Sequence, residues 1–588
     1  MTGHVCLNNP HYPWQFSENG EIRCWYKGTV FAGGVLLDGR EAAALLLSAP
    51  WDDLNAVRAL LESLNGEYAF VVETPDTIAA AVDRLRSIPL FFAGRGEEMV
   101  IADDPHFLVE RVSSPLNEES AAEFLATGFV TGPWTLYRGV RQLQAGECLI
   151  FPGRSGTART VSYAQFRHGD YFAGDDLVGD LTRGLDNVLV RVFRRLLASC
   201  EGKRIVVPLS GGLDSRIIVA MLRRLGAEDV TCFTYGVKEN REVRISREVA
   251  RALDYDWHCV EYTKEKVQAC YGGDALTEYL RYGGNLSSLP HTQDYLAVCE
   301  MKDEGAVPPD AVFVPGHSGD MLAGSHIPRE YGRPQAYTLQ KFLADNLAAH
   351  YSLWAWDDPP LRALYAERSL TSAGCPDVHD AESCADAIEY FDFKERQAKY
   401  IINSVRVYEY FGYGWRVPLW DRELMTFFQR VPLSLRLGQA LYKEYTACSL
   451  FTGDLAALGG IECTTRISSV MPGPSVATRI RAMHQRLFDV RWGRYFAFPH
   501  LSRFSLLRMR DAGGLDGLPR RVVVNIANAR RPYVSLLGYQ ALRYLSLQAS
   551  EEAQFLQAGH AHLVDGVRAV DEKRPEVVPV EEGQGDRA

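Results

Sequence analysis

Apolar and polar positions alternate in two different rhythms along the chain. Up to about position 165, short β-prone runs are broken by Gly, Pro or Asp: "EIRCWYKGTVFAGGVLL" (21–37), "GEYAFVVETP" (66–75), "TIAAAVDR" (77–84), "PLFFAG" (89–94), "EMVIADD" (98–104) and "GECLIFPG" (146–153). Helical spacing is confined there to "EAAALLLS" (41–48), "WDDLNAVRALLESL" (51–64) and "EESAAEFLATG" (118–128). This pattern predicts an α+β domain of stacked antiparallel sheets. After Gly153 the rhythm changes. "DDLVGDLTRGLDNVLVRVFRRLLASC" (175–200) reads as a helix, "RIVVPLS" (204–210) as a buried strand, "DSRIIVAMLRRLG" (214–226) as a helix, "DVTCFTYGV" (229–237) as a strand and "EVRISREVARALD" (242–254) as a helix. Strands alternating with helices predict a parallel, doubly wound α/β sheet. Helical pattern dominates from there to about 549, with an unplaced polar stretch around "ECTTRISSVMPGPSVATR" (462–479). The expected domains are therefore 1–165, 166–550, and a charged, Pro-rich tail, 551–588, expected to be disordered.

Composition narrows the class. A chain of 588 residues exceeds what one core supports, so two or three domains are expected. The 47% hydrophobic and 23% charged fractions are those of an ordinary globular protein. A net charge of -11 speaks against a general nucleic-acid binder. Twelve scattered cysteines, with no C-x-x-C pair, point to reduced thiols. The first residues carry no secretory pattern, and no apolar run approaches the roughly 18 residues that span a bilayer. A cytoplasmic location is expected.

One stretch carries chemistry. In "VVPLSGGLDSR" (206–216) a buried strand runs into a turn of Ser210, Gly211 and Gly212, and a helix follows. Glycines let backbone N–H groups approach an anion, and a helix amino terminus adds its positive dipole end. Asp214 beside a phosphate is repulsive unless a divalent cation intervenes, so Mg2+ is implied. The plain alternative is a tight turn capped by a serine. The Walker pattern is excluded, because no Gly-Lys-Ser/Thr follows.

The whole string resembles the PP-loop of ATP pyrophosphatases, which cleave ATP between its α and β phosphates. Five further stretches are similar to the asparagine synthetase family, in which a glutaminase-like domain of the amino-terminal nucleophile sandwich type precedes a PP-loop synthetase. They are "LNGEYAFVV" (64–72), "DRLRSIPLFF" (83–92) with "IADD", "ENREVRISREVA" (239–250), "GHSGDMLAG" (316–324), and "RVPLWDRELMTFFQRVPLSLRL" (416–437) with "YKEYT" (442–446). The resemblance implies an adenine-nucleotide α-hydrolase-like domain with a helical carboxyl-terminal part. It implies ATP contacts from Leu209, Ser210, Gly211, Gly212, Asp214, Ser215, Tyr235 and Gly316, magnesium on Asp214 and Asp320, and catalytic roles for Lys443 and His317. Two carboxylates plus phosphate oxygens suit that ion. Lys443 would meet negative charge developing on phosphate or acyl oxygen. His317 replaces the family's Glu or Tyr; it either accepts a proton from an amine or only caps its loop.

The glutaminase parts are altered. The resemblance calls for an amino-terminal cysteine, whereas position 2 is Thr2 and Cys6 would need proteolysis after Val5. Lys27-Gly28 replaces an Asn-Gly that helps form the oxyanion hole, and Asn65 replaces an aspartate that holds glutamine's amino group. As in β-lactam synthetases and lasso-peptide cyclases, the first domain is expected to be inactive. The expected reaction is AMP-forming amide ligation using ATP. Its partners are a small-molecule or peptide carboxylate and an amine donor, with room for a homodimer and with no nucleic acid and no membrane. A glutamine-hydrolysing asparagine synthetase and a non-catalytic nucleotide-binding regulatory protein are the alternatives.

Overall fold

The computed structural model describes residues 5–464, apart from 12, 95–98, 153–157, 273 and 354–357, and residues 540–548, apart from 542. Thr2, most of the 462–479 stretch and the 551–588 tail lie outside the described residues.

Two antiparallel-rich sheets form the amino-terminal part. The larger has six strands in the order 159–162, 147–152, 77–82, 68–73, 22–28, 15–19. The smaller runs 5–6, 100–102, 91–93, 140–142. Successive side chains of a strand point to opposite faces, and here both faces are covered. Val71, Ala80 and Leu149 pack toward Phe92 and Ile101 of the smaller sheet. Phe70, Ala81 and Ile150 pack toward Leu46 and Leu61 of the outer helices Gly39–Ser48 and Leu54–Ser63. Double burial explains why "YAFVV" reads as a continuous apolar run instead of an alternating one. Asp38 and Asp53 cap the two helices by accepting backbone N–H bonds at their first turns. The single strand-rich run over 21–37 is divided: Ile22–Gly28 stays in the large sheet, while Phe31–Ala32 and Val35–Leu36 pair in a separate three-stranded sheet with Leu64–Asn65. Gly28, at φ 108°, makes that break, because a Cβ there would lie 2.0 Å from the Glu67 carbonyl oxygen.

The second half is built on five parallel strands in the order 256–261, 230–236, 205–208, 312–313, 414–415. Ile205, Val206 and Val207 are buried, as a central parallel strand requires. Chain direction along the sheet reverses between the strand Ile205–Pro208 and the strand Val312–Phe313. Ligands of doubly wound sheets bind at the carboxyl ends of the strands flanking such a switch point. Those ends are the turns at 209–212 and 314–319.

The halves are joined by buried polar contacts. Arg195 grips Asp421 with two bonds of 2.9 Å, and Asn65 donates to the same carboxylate at 2.8 Å. Asn65 Oδ1 also accepts the Arg422 N–H. That residue therefore pins one domain to the other, both ends of its amide being engaged. Lys27 is buried and ion-paired with Glu409 at 2.9 Å.

Candidate active site at the sheet switch point

A cleft of about 470 Å³ opens at the carboxyl ends of the two central strands. Leu209, Ser210, Gly212, Asp214, Ser215, Tyr235, Gly316, His317 and Asp320 all line it. The first turn is organised by its serines. Ser215 Oγ accepts the Ser210 N–H at 3.1 Å, and Ser210 Oγ accepts the Gly212 N–H at 3.2 Å. Gly212 is the N-cap of the helix Leu213–Arg224, with no side chain bonded across its amino terminus, so the leading amides are open to an anion.

The glycines are needed for approach, not for unusual dihedrals. A Cβ on Gly316 would fall 2.8 Å from the Ser215 backbone nitrogen, so the second turn packs directly on the first. A Cβ on Gly319 would fall 2.4 Å from the Tyr442 hydroxyl oxygen and 3.2 Å from Asp214 Oδ1. Gly211 is hemmed in likewise: its N–H donates to Glu242 Oε2 at 2.5 Å and its carbonyl accepts the Thr464 N–H at 2.8 Å.

Asp214 and Asp320 meet across this junction. The Asp320 N–H donates to Asp214 Oδ2 at 3.0 Å, and the Tyr442 hydroxyl donates to Asp214 Oδ1 at 2.9 Å. Burial, and after it the negative charge of Asp320, drives the Asp214 carboxyl far above the ordinary carboxylate range. A buried carboxylate pushed up by its neighbour is what a divalent cation relieves, so the pair fits Mg2+. Among the described residues no group of three or more His, Cys, Asp or Glu could hold a metal, so phosphate oxygens would have to complete any such site.

His317 is half-buried, its Nε2 bonded to Ser404 Oγ. Burial, with His291 adding to it, lowers its imidazole to about 4, so the ring is neutral. Lys443 is not among the lining residues. On the short helix Ala440–Tyr445 it is Tyr442 that turns inward to Asp214, and Lys443, one position on, donates to the Gly438 carbonyl at 2.6 Å. A step of about 100° per residue separates the two directions. Several cleft residues have no motif to announce them. His291, Asp294 and Tyr408 line the cleft, and Ser404 reaches His317 from the short 3-10 turn Ile402–Ser404 that follows the π-helical stretch Asp392–Ile401. Only their types, titratable or hydroxyl-bearing, could have drawn attention to them.

Residues 192–446 match the family described as asparagine synthase, and residues 55–163 match the glutamine amidotransferase domain. Together these are the two domains of an asparagine synthetase family member, a glutamine amidotransferase domain ahead of an asparagine synthase domain. A stretch of 83 residues is 41% identical to 7-cyano-7-deazaguanine synthase of Anaeromyxobacter dehalogenans, covering 14% of this chain and 34% of that protein. The chain thus spans about a third of the length of this curated relative. Glutamine phosphoribosylpyrophosphate amidotransferase from B. subtilis, complexed with ADP and GMP, is similar at 16% identity over 43% of this chain and 73% of that one, with a TM-score of 0.19. The NH3-dependent NAD synthetase of Campylobacter jejuni is similar at 13% identity over 34% and 96%, with a TM-score of 0.19. No helix among the described residues is long and apolar enough to cross a membrane.

Proposed function

We propose that the chain is an AMP-forming carbon–nitrogen ligase that joins a carboxylate to an amine. The observation that carries this reading is the meeting of Asp214 and Asp320 beside the double-glycine turn, in one cleft with His317. The open amides at the start of the helix Leu213–Arg224 suit a leaving pyrophosphate, with Ser210 and Ser215 holding the turn in shape. Mg2+ held by Asp214 and Asp320 would neutralise phosphate charge. A substrate carboxylate oxygen attacks the α-phosphorus, the bond to the β-phosphate oxygen breaks, and an acyl adenylate results. An amine nitrogen then takes the acyl carbon and AMP departs.

The amine is supplied ready-made and not cut from glutamine. This part of the reading is supported by Lys27. Where the resemblance calls for an oxyanion-hole asparagine, its ammonium is buried against Glu409 of the other half. Arg406 is bonded to the same carboxylate and also donates to the Ser87 carbonyl, so this region is occupied by fixed charges.

The test is nucleotide turnover by the purified chain with Mg2+ and a panel of carboxylates. AMP, pyrophosphate and ATP–pyrophosphate exchange are expected, with no ammonia released from added glutamine. ADP and orthophosphate as products would overturn the reaction class.

A further inference from the structure

The cleft contains two histidines, and their surroundings differ. His317 is half-buried in the cleft wall and its Nε2 is engaged by Ser404. His291 lines the same cleft with 16% of its side chain exposed. Its Nδ1 lies 3.4 Å from Asp294 Oδ1, and the Asp294 side chain is only 5% exposed. Neither of these two atoms makes a hydrogen bond, to the other or elsewhere among the described residues, so the two stand as an unbonded close pair. The other oxygen of Asp294 accepts the Tyr408 hydroxyl at 2.8 Å, and the Tyr408 ring is stacked on Phe313 at 4.5 Å, so the carboxylate is fixed from behind. The His291 backbone is fixed as well, its carbonyl accepting the Tyr279 hydroxyl at 2.5 Å.

A buried carboxylate oxygen 3.4 Å from Nδ1 favours the tautomer with its hydrogen on Nδ1, toward Asp294, which leaves Nε2 as the acceptor. Asp294 acts on His317 as well, but more weakly than burial does.

We infer that His291 is the proton acceptor for the incoming amine, and that Asp294 is the positioning residue that makes it one. This rests on the amide-ligase reading of the same cleft. The amine arrives as an ammonium, which has no lone pair. It gives one proton to His291 and attacks the acyl carbon; the C–N bond forms, the C–O bond to AMP breaks with its electron pair remaining on AMP, and the second nitrogen proton leaves to solvent. His317, held by Ser404, shapes the wall of the cleft.

The test separates the nucleophiles by their need for a base. The full-length chain with ATP and Mg2+ is first scored for ATP–pyrophosphate exchange over a panel of carboxylates. With a carboxylate that exchanges, product is then measured with hydroxylamine, mostly uncharged at neutral pH, and with ammonium, methylamine and glycine, mostly protonated. His291→Asn is expected to keep exchange and hydroxamate formation within about threefold while products from the protonated amines fall about 100-fold. Asp294→Asn should show the same split at about tenfold. His317→Asn should change both nucleophile classes alike. The inference is overturned if His291→Asn affects both classes equally or neither. It is overturned too if the split belongs to His317→Asn, or if the wild-type chain forms hydroxamate but uses no protonated amine. Absence of exchange with every carboxylate is a different failure, of the ligase reading itself, and it is seen before any amine is added.

Discussion

The backbone N–H of Gly211 donates to the carboxylate of Glu242 at 2.5 Å, so one amide of the phosphate-binding turn is already occupied by an anion of the protein. Glu242 stands in the first turn of the helix Arg241–Ala252 and also lines the cleft.

An incoming phosphate must displace that carboxylate or lie beside it, and like charges at such range oppose each other. Glu242→Gln is therefore expected to lower the KM for ATP about threefold to tenfold, an effect of about 1 kcal/mol, with kcat little changed. Steady-state kinetics over ATP concentration decide this, and an unchanged or raised KM would show that Glu242 does not compete with nucleotide.

Asp214 and Asp320 give a second expectation. Asp214→Asn keeps a similar shape and the acceptor for Tyr442 but removes the charge that repels Asp320 and attracts a cation. ATP–pyrophosphate exchange should fall about 100-fold or more, since charge stabilisation at a phosphoryl centre is worth several kcal/mol. Chelation by EDTA should abolish the wild-type rate, and added Mg2+ should restore it. Retention of exchange in Asp214→Asn would remove this carboxylate from the chemistry.

The Lys27 to Glu409 pair concerns stability. Burial lowers the Lys27 ammonium's pKa, and Glu409 opposes that shift; burial would raise Glu409, but Arg406 and Lys27 hold it low. Lys27→Met leaves an apolar stem and one fewer cation on Glu409. A loss of about 3 kcal/mol is expected in urea unfolding, because removing one partner strands buried charge. Glu409→Gln added to Lys27→Met should recover part of it. No change in either variant would mean the pair contributes nothing net.

A pH signature belongs to His106, which burial, and next the Arg281 cation, lower to about 3. The unfolded chain takes up the proton near 6.5 and the folded chain does not until about 3, so stability is retained above 6.5 and lost as pH falls toward 3. His106→Asn has no such proton to exclude. Its stability relative to wild type should therefore improve by about 1.4 kcal/mol for each pH unit below 6.5. Urea midpoints at pH 7, 6 and 5 measure it; a constant difference across that range would contradict neutral burial of this ring.

Much of this protein was legible without coordinates because the relevant physics is local. The parallel strand Ile205–Pro208 announces itself by its apolar run, and the turn after it by two glycines between a serine and an aspartate. Asp320 was reachable because it sits in a second glycine-bearing turn of the same kind. Lys443 shows the limit: its place in the chain pointed to the cleft, but the helix that carries it turns Tyr442 to Asp214 and Lys443 to the Gly438 carbonyl. Asn65 shows it again, since its amide is committed to Asp421, 356 positions away.

Hydrophobic period and turn chemistry, which act over a few residues, determined from the sequence alone that a domain of stacked sheets precedes a parallel sheet with a double-glycine turn. Tertiary packing alone decided that His291 faces Asp294 from within the cleft, that Tyr442 braces Asp214, and that Lys27 is sealed against Glu409. The reason is distance along the chain: Tyr442 and Asp214 are 228 residues apart. Only the docking of separately formed elements brings such groups to hydrogen-bonding range, and that docking follows the shape of the whole core.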